Sequence, residues 1–437
     1  MNGVKPEMAE YTVGVEQLRV GVFIRLKDVK WFAHPFFFSA FKISKPGQIQ
    51  VLKEIGVKSV VCVPEKSDVL PFSSRPRLSP TPAPQAAPAE DRLQTEKLWQ
   101  IKKERIELNR ERREKAEKCE QHFKASVETV KTVMQNIETA PQETFNEADV
   151  LMKNMVERLM AEKDVAVQLM NTNFGQENVF FHSLNVSVLA MMLGKEYGLD
   201  AESLRVLGLG ALFHDVGKNN IPKNIIRKKG LSGPERRLLQ LHPKYGVDIL
   251  SRIEDFPKDA LQIVYQHHER SDGLGYPLAL SNEKITVLAR IASIVNAYDN
   301  HCNKYDYKES LTPYESLAYM FSVQGDFFDK ELLSLFIHCL GVYPPGTIVK
   351  LTNGNVGMIV SVDPASPLQP SLILHDPEIP KKEAMIISLQ EEPELSIEGS
   401  IRPSALPQNI FDYLSPRTRV TYYVDEYVSR AGKTAQN

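Results

Sequence analysis

The chain has 437 residues, 42% of them apolar and 25% charged, which is ordinary for a soluble globular protein of two to four domains. Its formal net charge of -2 gives no bulk attraction to nucleic acid or to an anionic membrane, so an anionic ligand must be held by a local site. Cys62, Cys119, Cys302 and Cys339 lie far apart with no C-x-x-C pair, which argues against a zinc ribbon or a disulfide framework and for a reducing compartment. The amino terminus lacks the basic-then-apolar order of a signal peptide, and no stretch approaches the roughly 20 apolar residues of a membrane span, so a cytoplasmic protein is expected.

In chain order, residues 11–15, 18–26 and 59–63 alternate as short strands do, with a helical stretch over 46–55, and predict a small α/β domain over 1–70. Trp31, His34, Phe36, Phe37 and Phe38 cluster in its middle, where aromatics more often form core than a binding face. Residues 71–90 are rich in Pro, Ser and Ala and read as a semi-stiff linker. A helical connector is expected over 91–171. Its first helix carries Cys119, Phe123, Val127, Val130, Met134 and Ile137 at spacings of three and four, and Pro141 breaks it. Its second has a stripe of Leu151, Met155, Leu159, Ala166 and Leu169, so the pair forms either an antiparallel hairpin or a homodimer seam. The Lys and Arg of 102–118 interleave with Glu and mark a solvated face. Residues 172–340 read as essentially all helical, and 341–437 as a β-rich appendage with a hairpin signal at Asn353-Gly354. The fold class is therefore multidomain and mainly α.

The chemistry gathers in the helical region. The apolar run from Leu207 to Phe213 ends in His214-Asp215, followed by Gly217 and Lys218, so an imidazole and a carboxylate arrive together at a helix end. His182 precedes them, His242-Pro243 follows, and then comes His267-His268-Glu269-Arg270-Ser271-Asp272-Gly273-Leu274-Gly275-Tyr276-Pro277. A lone helical histidine is more often structural, but this company makes a ligand set of mixed imidazole and carboxylate donors.

These residues resemble the HD-GYP family of bacterial cyclic di-GMP phosphodiesterases, a branch of the HD metal-dependent phosphohydrolases. His214-Asp215-x-Gly217-Lys218 is similar to the family's HD-x-GK, His242-Pro243-x-x-Gly246 to its H-P-x-x-G, and the run from His267 to Pro277 to its H-H-E-x-x-D-G-x-G-Y-P. The resemblance extends to the small amino-terminal domain often found ahead of such sites. It implies an all-helical HD-type bundle and hydrolysis of cyclic di-GMP to linear pGpG, and on to GMP in some members. It also implies one divalent ion on His182, His214 and Asp215 and another on His242, His267 and His268, with Asp215 shared. Iron or manganese is the implied metal, with zinc or nickel as alternatives. Lys218 would neutralise a phosphate oxygen beside the ions. Asp272, Gly273, Gly275, Tyr276 and Pro277 would form a loop that meets the substrate, or a diguanylate cyclase-type partner, and Glu269 and Asp272 would orient imidazoles or that loop.

Three positions depart from the family pattern. Asn296 stands where the family has a further aspartate ligand, and a neutral amide binds a divalent cation more weakly than a carboxylate. Asp299 lies one turn on and is expected behind the ligands. The family's basic-aromatic D-R-P-Y-R pattern keeps Tyr307 and Lys308 as substrate contacts and loses its arginine. Asn178 occupies the place of an extra glutamate, so two ions are expected, not three. His301 and His338 match no motif and are expected to be structural. Because of Asn296, a cyclic di-GMP sensor or adaptor without turnover stands as the alternative to the enzyme, with a nucleotidase acting on another nucleotide as a third reading.

Overall fold

A computed structural model of the chain describes residues 9–27, 29–73, 89–161, 165–169, 178–304, 309–363, 365–415 and 422–426. Most of the expected proline-rich linker, and the substrate-binding positions Tyr307 and Lys308, lie outside them. The chain divides into two compact units.

The first unit comprises Met1–Arg113, Leu351–Val356 and Leu374–Ile386. Four strands, β1 (Tyr11–Gly14), β2 (Phe23–Arg25), β3 (Ala40–Lys42) and β4 (Ser59–Cys62), form a sheet in the order β1-β4-β2-β3, with helix α1 (Pro46–Glu54) between β3 and β4. Every pairing described in this sheet is antiparallel. The alternating apolar residues Val13, Val22, Ile24 and Val60 meet Val51 and Leu52 in one core. Within the aromatic cluster, Trp31 and Phe36 are buried and Phe32 is exposed. Helix α2 (Ala89–Asn136) begins in this unit and sends Lys102 into it. The buried ammonium donates to the carbonyls of Trp31, His34 (2.7 Å) and Phe36 (3.0 Å) and lies 3.8 Å from the Trp31 ring centre. Three acceptors and a π face offset much of the cost of burying that charge. Burial nevertheless pushes Lys102 down to about 7.

The second unit comprises Glu114–Lys350, Gly357–Ile373 and Ile387–Asn437. The later part of α2 is followed by α3 (Pro141–Ala161), β5 (Val165–Leu169), α4 (Asn178–Tyr197), α5 (Ala201–Phe213), α6 (Lys223–Ile226), α7 (Gly233–Leu239), α8 (His242–Leu250), α9 (Lys258–Gln266), α10 (Val287–Cys302), α11 (Pro313–Ser322) and α12 (Lys330–Leu340). Caps set several of these boundaries: the Asp200 carboxylate accepts from the Ser203 N–H at 2.8 Å to start α5, and Thr286 starts α10. Helices α4 and α5 are apolar nearly all round, and they are central. Leu184, Val188, Leu204 and Leu212 face one core with Phe123, Val130 and Met152, whereas Leu189, Leu193, Leu207 and Ala211 face a second with Ile294, Tyr298 and Phe336. Cys119, Phe123, Val127, Val130 and Ile137 of the first stripe, and Met155 and Leu159 of the second, are buried in the first of these cores. The second stripe is also shorter than expected, because α3 ends at Ala161 and Ala166 and Leu169 lie on β5.

The carboxy-terminal region is β-rich, as the alternation predicts. Strands β6 (Ile348–Leu351), β7 (Val356–Val362), β8 (Ser371–Leu374), β9 (Ile386–Ser388), β10 (Ile397–Ile401) and β11 (Tyr422–Glu426) share one sheet with β5. Its main path runs β10-β6-β7-β5-β11, with β8 on β7 and β9 on β8. Strand β11 is antiparallel to β5, and Tyr422 is fully buried in the second helical core. The turn 351–356 and residues 374–386 belong to the first unit, against the expectation of a single domain over 341–437. Among the described residues no helix is long and apolar enough to cross a membrane.

Candidate metal centre

Three histidines stand where a helix runs out of turns. A helix end leaves carbonyls without an intrahelical partner, and here the imidazole three residues further on takes each of them. His214 Nδ1 donates to Ala211 O (2.7 Å), His242 Nδ1 to Leu239 O (2.8 Å) and His267 Nδ1 to Val264 O (2.8 Å). A carbonyl oxygen only accepts, so each Nδ1 carries a proton, and in the neutral ring each Nε2 then presents a bare lone pair. His182, on α4, reaches the same state differently: its Nδ1 lies 2.6 Å from Asp299 Oδ2, a carboxylate on α10.

The bare nitrogens converge on Asp215. Its Oδ2 lies 3.6 Å from His182 Nε2 and 3.4 Å from His214 Nε2, and its Oδ1 lies 3.3 Å from His242 Nε2 and 3.8 Å from His267 Nε2. Two groups of donors able to hold an ion result, one of His182, His214 and Asp215 and the other of Asp215, His242, His267 and His268. The Nε2 atoms of His182 and His214 are 3.1 Å apart and those of His242 and His267 3.2 Å. Two lone pairs at that distance cannot hydrogen-bond to each other, and Asp215 Oδ1 is buried with no hydrogen-bond partner. A cation in each group satisfies all of these atoms, so the residues present fit a metal centre.

The electrostatics agree. Burial, and then the neighbouring imidazoles, push His267 and His268 well below the usual histidine range, and burial lowers His214. Burial alone would raise the Asp215 carboxyl, but Lys218 and the imidazoles outweigh it and hold it well below the usual range. Neutral His214, His267 and His268 beside an ionised Asp215 are in the protonation states that metal binding requires. The Lys218 ammonium pairs with Asp215 Oδ2, its side chain one-third exposed.

The motif glycines serve packing. A Cβ on Gly217 would lie 2.0 Å from the His242 carbonyl oxygen and 2.4 Å from the Gly246 nitrogen, so the turn carrying Asp215 and Lys218 can seat on the start of α8 only without a side chain there. Likewise a Cβ on Gly275 would meet the main chain of His268, Glu269 and Arg270 within 2.6 Å. The close approach of this loop is therefore to its own chain. Glu269 is buried and orients the loop, not an imidazole: its carboxylate accepts from the N–H groups of Leu278 (2.6 Å) and Leu280 (2.9 Å). Asp272 is exposed, pairs with Arg270 and caps Leu274 N at 3.0 Å, shaping the turn that contains Gly273. Tyr276, just before Pro277, stacks on His268 with centroids 4.5 Å apart and walls the second group.

Asn296 is buried on α10, and its amide oxygen accepts from Asn300 at 2.7 Å. Asp299 faces the outer nitrogen of His182 and holds that imidazole in place. His301 bonds Gln324 at 2.8 Å, away from the centre. One residue was missed in the sequence. Asn185, buried on α4 three residues after His182, donates to Asp299. The i,i+3 spacing of His182 and Asn185 was its only signal.

Comparison with known proteins bears on this arrangement. Residues 11–148 match a domain of unknown function (DUF3391), and residues 154–332 match the HD domain. The second match contains His182, both donor groups and the full run from His267 to Pro277. Residues 154–332 are thus an HD domain. A cyclic di-GMP phosphodiesterase of Pseudomonas aeruginosa is 28% identical over 370 residues, 82% of this chain and 83% of that protein. A cyclic di-GMP phosphodiesterase response regulator of Xanthomonas campestris is 32% identical over 154 residues, covering 35% of this chain and 41% of that protein. A 3'3'-cGAMP-specific phosphodiesterase of Vibrio cholerae is 32% identical over 158 residues, 36% of this chain and 30% of its own length. The similarity thus extends through both units in the Pseudomonas relative and is confined to roughly a third of this chain in the other two.

Proposed function

We propose that this chain is an HD-GYP-type protein, a cytoplasmic, metal-dependent phosphodiesterase that opens cyclic di-GMP to linear pGpG, with GMP as a further product. The observation that carries the reading is the Asp215 carboxylate set between pairs of bare imidazole nitrogens, with one oxygen buried and unpartnered. His182, His214 and Asp215 would hold one ion, with Asn296 adding a weak amide oxygen, and Asp215, His242, His267 and His268 would hold the other. The preponderance of imidazole favours iron, manganese, zinc or nickel over magnesium or calcium, and the resemblance to HD-GYP proteins points to iron or manganese among them. Such a pair of ions lowers the pKa of attacking water and clamps the phosphoryl oxygens.

The chain's own side chains do the rest. Lys218, already at the mouth beside Asp215, places its ammonium to meet a non-bridging phosphate oxygen as charge develops there. Tyr276 keeps His268 in plane and offers an aromatic wall for a guanine. Asp272, Gly273, Gly275 and Pro277 set the loop that carries it. The test is release of pGpG by purified protein loaded anaerobically with iron or manganese, with cyclic GMP-AMP run beside cyclic di-GMP. Bound metal without turnover of either sinks the enzyme reading.

The second reading is a cyclic di-GMP sensor, or an adaptor that meets a diguanylate cyclase-type protein through the 272–277 loop. It is favoured by Asn296, whose neutral oxygen is already shared with Asn300. Tight calorimetric binding without hydrolysis selects it.

A further inference from the structure

We infer that the carboxy-terminal strand β11 is a positioning element for the His182 half of the metal centre, acting through Asn185 and Asp299. The inference rests on the metal-centre reading above. The main-chain N–H of Tyr422 donates to Asn185 Oδ1 at 2.7 Å. The Asn185 amide nitrogen donates to Asp299 Oδ1, which also accepts from Asn303 at 2.8 Å. Asp299 Oδ2 then takes the proton-bearing Nδ1 of His182 at 2.6 Å. Asn185, Asp299 and Tyr422 are each no more than 1% exposed, so water does not substitute for any link.

The direction of the amide is forced. Tyr422 supplies a donor and Asp299 an acceptor, so only the orientation with oxygen toward the strand satisfies both sides. With both oxygens committed, Asp299 holds the imidazole in the tautomer that aims Nε2 at Asp215. The dependence is confined to one half of the centre. His214, His242 and His267 are oriented by carbonyls three residues earlier in the chain, at the end of the preceding helix, whereas His182 is oriented by a line of side chains ending on a strand 237 residues beyond Asn185. The Tyr422 side chain has a separate task, its hydroxyl bonding Tyr298 (2.7 Å) and the Pro345 carbonyl (3.1 Å) inside the core.

This separation permits a clean test on the full chain. Asn185→Leu, Asn185→Asp and Tyr422→Phe are loaded anaerobically with manganese, and bound metal is measured over time in a chelator alongside thermal melts. Asn185→Leu removes both hydrogen bonds, and Asn185→Asp, of nearly the same size, keeps the acceptor for Tyr422 while removing the donor to Asp299. Both are expected to release one ion about 10 to 100-fold faster than wild type and to keep the other. Tyr422→Phe retains the main-chain N–H and is expected to keep both ions even where its melting temperature falls. Wild-type retention in both Asn185 variants, or equal loss in Tyr422→Phe, overturns the inference. A wild-type chain that holds no ion at all overturns the metal-centre reading itself, and the inference with it, so the two failures are distinguishable.

Discussion

Replacing Gly217 by Ala probes how tightly the shared aspartate is held. The added Cβ would sit 2.0 Å from the His242 carbonyl oxygen, where non-bonded contacts essentially never fall below 3.0 Å, and the clashing atoms are main chain on both sides. No rotamer change relieves that, so the 215–218 turn and the start of α8 must separate by ~1 Å, a strain of about 1–3 kcal/mol in a packed interior. The same movement lengthens the 3.3 Å approach of His242 Nε2 to Asp215 Oδ1 and draws Lys218 from the mouth. A misplacement of that size costs about 100-fold in turnover, with loss of the ion shared by Asp215 and His242. Gly325→Ala is the control, since a Cβ there would meet nothing within 4 Å. The assay is cyclic di-GMP turnover with metal content and a thermal melt on both variants. Wild-type turnover and metal content in Gly217→Ala would refute the reasoning.

Three further outcomes are expected. Asn296→Asp restores an anionic donor next to the His182 group and should slow release of that ion by about 10-fold in a chelator competition, because charge is what the amide lacks; an unchanged rate removes Asn296 from the ligand shell. Tyr276→Ala removes the ring stacked on His268 and should weaken the ion held with His242 and His267 by about 2 to 10-fold, from the roughly 0.5–1.5 kcal/mol of such a stack, while Tyr276→Phe should leave it unchanged. In the first unit, burial and then the Lys102 charge push His34 down to about 4 from 6.5. As pH falls through that window the unfolded chain takes up a proton that the folded one refuses, so stability is lost between about pH 6.5 and pH 4. Both tryptophans, Trp31 and Trp99, lie in this unit and report its denaturation, and His34→Gln should flatten the decline; equal slopes contradict the assignment.

The legible parts were those whose causes are local. The apolar run ending at His214, the Asp200 cap, the break at Pro141 and the Asn353-Gly354 hairpin all act within a few residues, and the corresponding elements are where the pattern puts them. The motif likewise named the histidines that meet at Asp215. The illegible parts depend on distant chain. Ala166 and Leu169 fit a helical stripe by spacing as well as they fit a strand, and β5 is a strand because β7 and β11 pair with it across some 200 residues or more. Strand β3 is three residues long, too short to show alternation. The purpose of Gly217 and Gly275 reads as ligand approach in a motif and as main-chain packing in the fold. Asn185 gave no signal alone, since its value comes from Tyr422 and Asp299 meeting on either side of it.

The most direct measurement is the metal content of Asp215→Ala beside His182→Ala, each purified anaerobically in the presence of manganese. If one carboxylate is shared by both donor groups, the aspartate variant loses both ions while the histidine variant loses one. An Asp215→Ala chain that retains even one ion as tightly as wild type contradicts the account.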